Sequence, residues 1–170
     1  MGDKLTSKII AICGHEHSGK STTAKFIASA LDRRGYSTKI ISFSTPLKQI
    51  CSTYFNVDKS NRNALEELAM DMRRILGNDI FTNATFTEMH LSNYDFYIID
   101  DLRYSHEFIK LSESEYLVYL LKTRNIETRD MDSARLEELL SHVDLDIVTF
   151  LPEDYDHLYK YIEEFVELVI

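Results

Sequence analysis

The chain predicts an α/β domain in which a parallel sheet is covered by helices on both faces, and three observations lead there. Short apolar, β-branched runs alternate with longer amphipathic segments over most of the 170 residues, the pattern of strand–helix–strand units. The first run, Ile9-Ile10-Ala11-Ile12-Cys13, passes directly into Gly14-His15-Glu16-His17-Ser18-Gly19-Lys20-Ser21-Thr22, which fits G-x-x-x-x-G-K-[ST]. Each segment carrying chemically capable side chains (14–22, 44–48, 100–107 and 122–132) follows a predicted strand. In a parallel sheet those positions gather at the carboxyl edge, where ligands bind.

The elements follow in order. Residues 8–13 read as a buried strand, and 20–34 as a helix whose apolar positions are Ala24, Phe26, Ile27, Ala30 and Leu31, closed by Gly35. Lys39 to Phe43 is a second strand. Pro46 opens a helix at its favoured first position, with Leu47, Ile50, Cys51, Tyr54 and Phe55 on one side. Residues 62–76 repeat Leu65, Leu68, Ala69, Met72, Ile75 and Leu76 at helical spacing up to Gly77, and 80–91 is a further helix. Strands are expected at 95–100, 116–121 and 145–150, and helices at 104–112, 133–142 and 154–168. In the last helix Leu158, Tyr159, Ile162, Phe165, Val166 and Val169 form a core stripe. A length of 170 residues suits one domain. Within it, 46–92 would form a helical region for a second substrate and 123–132 a lid.

Composition narrows the function. Nineteen Lys and Arg against 28 Asp and Glu give a net charge of −9, which argues against nucleic-acid binding through a broad basic face. No apolar run approaches the roughly 20 residues of a membrane span, and the polar start lacks a secretory h-region. Two cysteines, Cys13 and Cys51, fit a reducing compartment and no disulfide. A soluble, cytoplasmic protein is expected.

The glycine-bearing loop has a specific chemistry. Gly14 and Gly19 let the backbone turn tightly against an oxyanion. The N–H groups of residues 14–22 then form an anion nest at a helix N-terminus. Lys20 would reach the β- and γ-phosphates of a nucleoside triphosphate, ATP, and Ser21 would be a ligand of Mg²⁺. Glu16, inside the loop, must face away from the triphosphate. Cys13, His15 and His17 resemble a zinc run, but a loop wrapped around phosphate points such side chains apart.

Other candidates surround the loop. The strand at 95–100 leads into Asp100-Asp101, an acidic position suited to Mg²⁺; Asp101 is favoured and Asp100 is the alternative, with simple capping of the next helix the competing use. Arg103 and Lys48 follow strands and suit phosphate oxygens. Arg124 and Arg129 sit in the expected lid, where they would neutralise charge on a transferring phosphoryl group. Arg73 or Arg74 would reach a substrate phosphate across the cleft. Tyr104 and Phe81 offer rings for a base.

With these residues in place the chain resembles the phage- and virus-type deoxynucleoside monophosphate kinases, of the nucleoside monophosphate kinase group of P-loop proteins. Beside the loop itself, Phe43-Ser44-Thr45-Pro46-Leu47-Lys48 is similar to their F-A-x-P-L-K segment, and Leu76-Gly77-Asn78-Asp79-Ile80-Phe81 to L-G-T-D-x-F. Ile99-Asp100-Asp101-Leu102-Arg103-Tyr104-Ser105-His106-Glu107 is similar to the strand-ending S-D-V-R-F-x-N-E. The resemblance implies a three-layer P-loop fold with a five-stranded parallel sheet. It also implies transfer of the γ-phosphoryl of ATP to a (deoxy)nucleoside monophosphate. Lys20 and Ser21 carry over as triphosphate and Mg²⁺ contacts, Asp101 and Arg103 from the D-V-R element, and Lys48 from P-L-K. Such kinases often pair, so a homodimer is an option. Departures lie at Asn78, at His106, at Thr149-Phe150 in place of an Asn, and at Asp132 to Glu137, which lacks the family's lid His. They bear on base specificity and, to a lesser degree, on activity itself. Two alternatives stand beside this reading: a P-loop kinase of another phosphorylated metabolite, such as phosphomevalonate, and a catalytically weak nucleotide-binding structural module. A guanine-binding N-K-x-D signature is absent from the sequence.

Overall fold

The computed structural model describes residues 7–58, 60–123, 130–144, 148–152 and 154–170, with the side chains of all but 130–132, 155 and 156. Strands β1 (Lys8–Cys13), β2 (Thr38–Ile41), β3 (Phe96–Leu102), β4 (Leu117–Lys122) and β5 (Val148–Phe150) form one sheet. They alternate with α1 (Lys20–Asp32), the trio α2 (Thr45–Tyr54), α3 (Arg62–Leu76) and α4 (Ile80–His90), then α5 (Ser105–Ser112), α6 (Asp130–Ser141) and α7 (Tyr155–Val169). All pairings are parallel and the order is β2-β3-β1-β4-β5.

The alternation of side chains along each strand divides the core into two layers. Ile10 and Ile12 of β1, with Phe96 and Ile98 of β3, pack under α1 and α7 against Ile27, Leu31, Ile162, Phe165 and Val166. Ile9, Ala11 and Cys13 face the opposite layer, where Leu47, Leu65, Phe81, Met89, Phe108, Leu111, Leu136 and Leu139 close the sheet from α2 to α6. β1 is fully buried from Ile9 to Cys13, as a central strand covered on both faces must be. The Tyr97 hydroxyl, inside the core, donates to the Met89 carbonyl at 2.9 Å, so its burial leaves no donor unsatisfied.

Several boundaries differ from the sequence expectation. β3 runs two residues further than expected and takes Asp101 and Leu102 into the strand. α1 stops at Asp32; the amides of Arg34 and Gly35 bond back to Leu31 and Asp32, and Gly35 takes a positive φ of 87°. The α7 stripe is core except for Tyr159, which is half exposed and meets Phe26 edge-on beside Arg33. On α2, Leu47 and Cys51 are buried, while Ile50, Tyr54 and Phe55 are exposed. Residues 145–147 of the expected fifth strand lie outside the described residues. The expected lid segment 123–132 includes the start of α6.

No helix among the described residues is long and apolar enough to cross a membrane. Cys13 and Cys51 are free and buried. Burial pushes the Cys13 thiol up to about 11, which keeps it protonated and poorly nucleophilic at neutral pH. Ellman's reagent at pH 8 is therefore expected to leave Cys13 unmodified in the native chain and to titrate it after denaturation.

Candidate functional site

The loop between β1 and α1 is shaped by its backbone. Gly14 has φ 143° and Gly19 has φ 92°, and His17 also lies at positive φ. A Cβ on Gly14 would fall 1.9 Å from Thr123 Oγ1 and 3.0 Å from Ser18 Oγ, so glycine is required there by space as well as by dihedral angle. Thr123, just past β4, donates its amide to the Cys13 carbonyl at 3.0 Å, and its hydroxyl lies 2.5 Å from Ser18 Oγ. Ser18 Oγ also reaches the His15 carbonyl at 2.7 Å. The turn is thus tied to the neighbouring strand end on one side and to itself on the other.

Lys20 opens α1 and is buried. Its ammonium donates to the carbonyls of Gly14 at 2.8 Å and His15 at 2.6 Å. The charge therefore sits inside the curve of the loop. Glu16 turns its carboxylate to Arg62 at the start of α3. His17 and Thr22 are exposed. Among the described residues, no group of three or more His, Cys, Asp and Glu side chains is placed to hold a metal ion.

Ser21 donates to Asp100 Oδ2 at 2.8 Å, and Ser42, after β2, donates to the other oxygen of the same carboxylate. Asp101 is used differently. Its oxygens accept the amides of Phe43 at 2.7 Å and Ser44 at 3.1 Å, so it ties the start of α2 to the sheet. Burial pushes its carboxyl above the usual carboxylate range, against the amide bonds that favour its charge. Asp101 was the favoured Mg²⁺ position and Asp100 its alternative; it is Asp100 that meets the hydroxyl of Ser21, while Asp101 is taken up by backbone amides. The physical reason lies in the ladder: Ala11 pairs with Ile99, but Cys13 pairs with Leu102. β3 carries one extra residue across Asp100-Asp101, and such a bulge re-aims side chains.

A second group of residues lies where α3, α4 and α5 meet. The Arg73 guanidinium sits 4.9 Å from the Phe81 ring and 4.6 Å from that of Tyr104. Tyr104 also stacks on His106 and lies 5.4 Å from the guanidinium of Arg135. Its ring faces are therefore occupied by protein groups. Beneath them Glu107 is buried; Oε2 accepts the amides of Arg103 at 3.0 Å and Tyr104 at 3.1 Å, and Oε1 lies 3.6 Å from Arg73 Nη2. Burial lifts the Glu107 carboxyl to about 7, with Asp101 adding to the rise and the two amides and Arg73 opposing it.

That shift fixes a sign. The carboxyl holds its proton more tightly in the folded chain than in the unfolded one. The stability it contributes is complete below about pH 4.5 and is lost as the pH rises through about 7. The loss amounts to about 3 kcal/mol at most. Chemical denaturation at pH 5.5 and 8 should show the lower stability at pH 8, and Glu107→Gln should flatten the difference.

A small cavity joins the two groups. It is lined by Gly14, Glu16, Lys20, Leu102, Arg103, Arg135 and Leu136. Arg135, on α6, also pairs with Glu66 of α3 at 2.9 Å. Of the expected phosphate contacts, Lys20 and Arg103 line this cavity, and Arg73 is held nearby on the Tyr104 ring. Arg74 turns outward to Asp71 on its own helix, and Lys48 is exposed on α2. Arg124 and Arg129 lie outside the described residues. Sequence reasoning missed Ser42, Thr123, Glu107 and Arg135 as members of the site. Ser42 and Thr123 were findable as polar residues just past strands, and Glu107 as an acidic residue at the third position of a helix.

No protein-family model matches the chain, and no curated protein sequence matches it. Solved structures do. An APS kinase of Mycobacterium tuberculosis superposes with a TM-score of 0.52 at 11% identity, covering 96% of this chain and 98% of that one. A gluconokinase from Sinorhizobium meliloti gives 0.51 at 13% identity, covering 98% and 94%. The chain shares the fold of these two kinases. The expected α/β architecture, a five-stranded parallel sheet flanked by helices, is therefore shown. In this fold the loop of residues 14–19 leaves the central strand between β3 and β4, so Asp100 and Thr123 stand on its two sides.

Proposed function

We propose that the chain transfers the γ-phosphoryl group of ATP to a small phosphorylated acceptor, a (deoxy)nucleoside monophosphate. The observation that carries the reading is the Ser21–Asp100 link beside the Gly14 cradle and the Lys20 ammonium, with arginines gathered across the same cavity. The fit for the nucleotide is good. The cradle excludes any Cβ, and a polyphosphate would take the Lys20 ammonium from the carbonyls of Gly14 and His15. A hydroxyl and a carboxylate oxygen are the donor set a hard cation prefers, so Ser21 and Asp100 would hold Mg²⁺. When bound, Mg²⁺ supplies neutralisation of charge on the phosphate oxygens.

The chain's own part is positioning and electrostatics. Lys20 and the loop amides orient the triphosphate tail. Arg103, Arg135 and Arg73 supply positive charge on the acceptor side, where two anions must approach each other. The Gly14–Thr123 contact fixes the height of the loop. Asp100→Asn is expected to raise the Mg²⁺ concentration needed for half-maximal activity by about tenfold. Asp101→Asn is expected to leave that requirement unchanged and to lower stability by about 1 kcal/mol. Titrating Mg²⁺ against both variants checks the assignment.

The deciding experiment is a panel of nucleoside monophosphates with ATP and Mg²⁺, read as ADP formation. Consumption of ATP that depends on one of them supports the reading. ATP binding with no acceptor dependence supports a nucleotide-binding module instead. One observation favours a second acceptor class. Arg73 fills the slot between Phe81 and Tyr104, so those rings are not open to a base. Phosphorylated metabolites without a base, phosphomevalonate among them, therefore belong in the panel.

A further inference from the structure

Beyond the phosphate loop, Glu107 is a buried carboxylate to which that chemistry assigns no task. We propose that Glu107 is a positioning residue for the acceptor side, setting Arg73 and the Arg103–Tyr104 backbone so that the arginines meet the acceptor's phosphate. This rests on the phosphoryl-transfer reading of the site.

The geometry is a two-sided clamp. Oε2 takes both amides at the turn from β3 into α5, and Oε1 faces Arg73 Nη2. The arginine is thereby held from three directions: the carboxylate, Phe81 and Tyr104. Two buried polar atoms in this cluster, Arg73 Nε and His106 Nε2, have no hydrogen-bond partner among the described residues. A purely structural ion pair would be expected to satisfy its guanidinium. The guanidinium is thus held in place while its hydrogen-bonding capacity is not used up. The groups facing Glu107 are Arg73 from α3, Asp101 from β3 and the Arg103–Tyr104 turn. Arg73 is the cation that pairs with it.

Replacing the carboxylate by an amide separates positioning from folding. In Glu107→Gln the amide oxygen can still take the two backbone N–H groups. Its NH₂ group then points at the Arg73 guanidinium, donor against donor, and displaces it. The charge whose burial is costly is removed at the same time. The expected result is a KM for the best acceptor raised about tenfold, kcat within about threefold, KM for ATP unchanged, and a Tm at pH 8 no lower than that of the parent chain. Arg73→Lys, which keeps the charge and loses the planar fork, should raise the same KM. The double variant should be no worse than the poorer single one, because both act through one group.

An unchanged acceptor KM in a folded Glu107→Gln chain that transfers phosphoryl groups overturns this inference and leaves the function standing. A fall of several degrees in Tm with kcat and both KM values altered together overturns it in favour of a structural role. A parent chain that binds ATP but transfers to no acceptor in the panel overturns the function and this inference with it.

Discussion

Lys20→Ala should lower phosphoryl transfer by about a thousandfold or more while the circular dichroism spectrum and the thermal transition stay close to those of the parent chain. Lys20 contributes a charge that no neighbouring residue can place at the same point, because its stem begins at the first residue of α1 and its ammonium ends within the curve of the loop. In a cavity with restricted water, a positioned cation is worth far more than the same charge on the surface. The loop does not depend on it for shape. Ser18 bridges to His15 and Thr123, Thr123 bonds to Cys13, and the amide of Thr23 closes on the Gly19 carbonyl at 2.9 Å. Steady-state rates with ATP, set beside a melting curve, test both halves. Activity near the parent level would remove the role assigned to this side chain, and loss of the folded signal would make it structural.

Gly14→Ala should cost the chain both ATP affinity and stability. The new methyl group meets Thr123 Oγ1 at 1.9 Å and Thr123 Cβ at 3.2 Å, and the residue keeps a φ of 143° that L side chains avoid. Neither conflict is relieved by a rotamer change, since Thr123 is buried and its backbone is tied to β1. Strain of this kind is worth about 1–3 kcal/mol for the dihedral alone, and overpacking adds about as much again. The relief available is a shift of the loop, which moves the amides that would face the triphosphate. Calorimetry should show ATP affinity down at least about a hundredfold. Thr123→Ala, added to Gly14→Ala, should recover part of the stability by deleting the clashing hydroxyl and little of the affinity. Wild-type affinity in Gly14→Ala would show that the loop does not approach its ligand as closely as this geometry implies.

The order of the elements was legible because apolar period and glycine and proline punctuation carry it: β1, α3 and α5 lie within one residue of where the pattern puts them. The tight glycine-bearing turn between β1 and α1 was legible from its spacing alone. The choice between Asp100 and Asp101 was not. Neighbours on a strand face opposite ways, and which of them meets Ser21 depends on one extra residue in the β1–β3 ladder, a property of two strands whose paired residues lie 88 or 89 positions apart in the chain. Arg73 and Arg74 pose the same problem on a helix, where a 100° turn sends one to Tyr104 and the other to Asp71. What occupies the rings of Tyr104 and Phe81 was hidden for a different reason. An aromatic ring suits a guanidinium as well as a base, and the chain supplies its own cation. Arg135 went unnoticed because its relevance comes from where α6 crosses the cavity, a long-range fact with no local mark.

The strand order has a consequence for how such a sequence drifts. With β1 in the middle, the loop at 14–19, the carboxylate at Asp100 and the hydroxyl of Thr123 leave three adjacent strand ends side by side. Their mutual placement is dictated by backbone hydrogen bonds, which are indifferent to side-chain identity. Helix exteriors and the outer strands are then free to wander, provided that apolar volume is conserved on the inner faces. Chains sharing 11% and 13% of their residues with this one trace the same path through space, as a scaffold whose working parts hang from main-chain geometry permits.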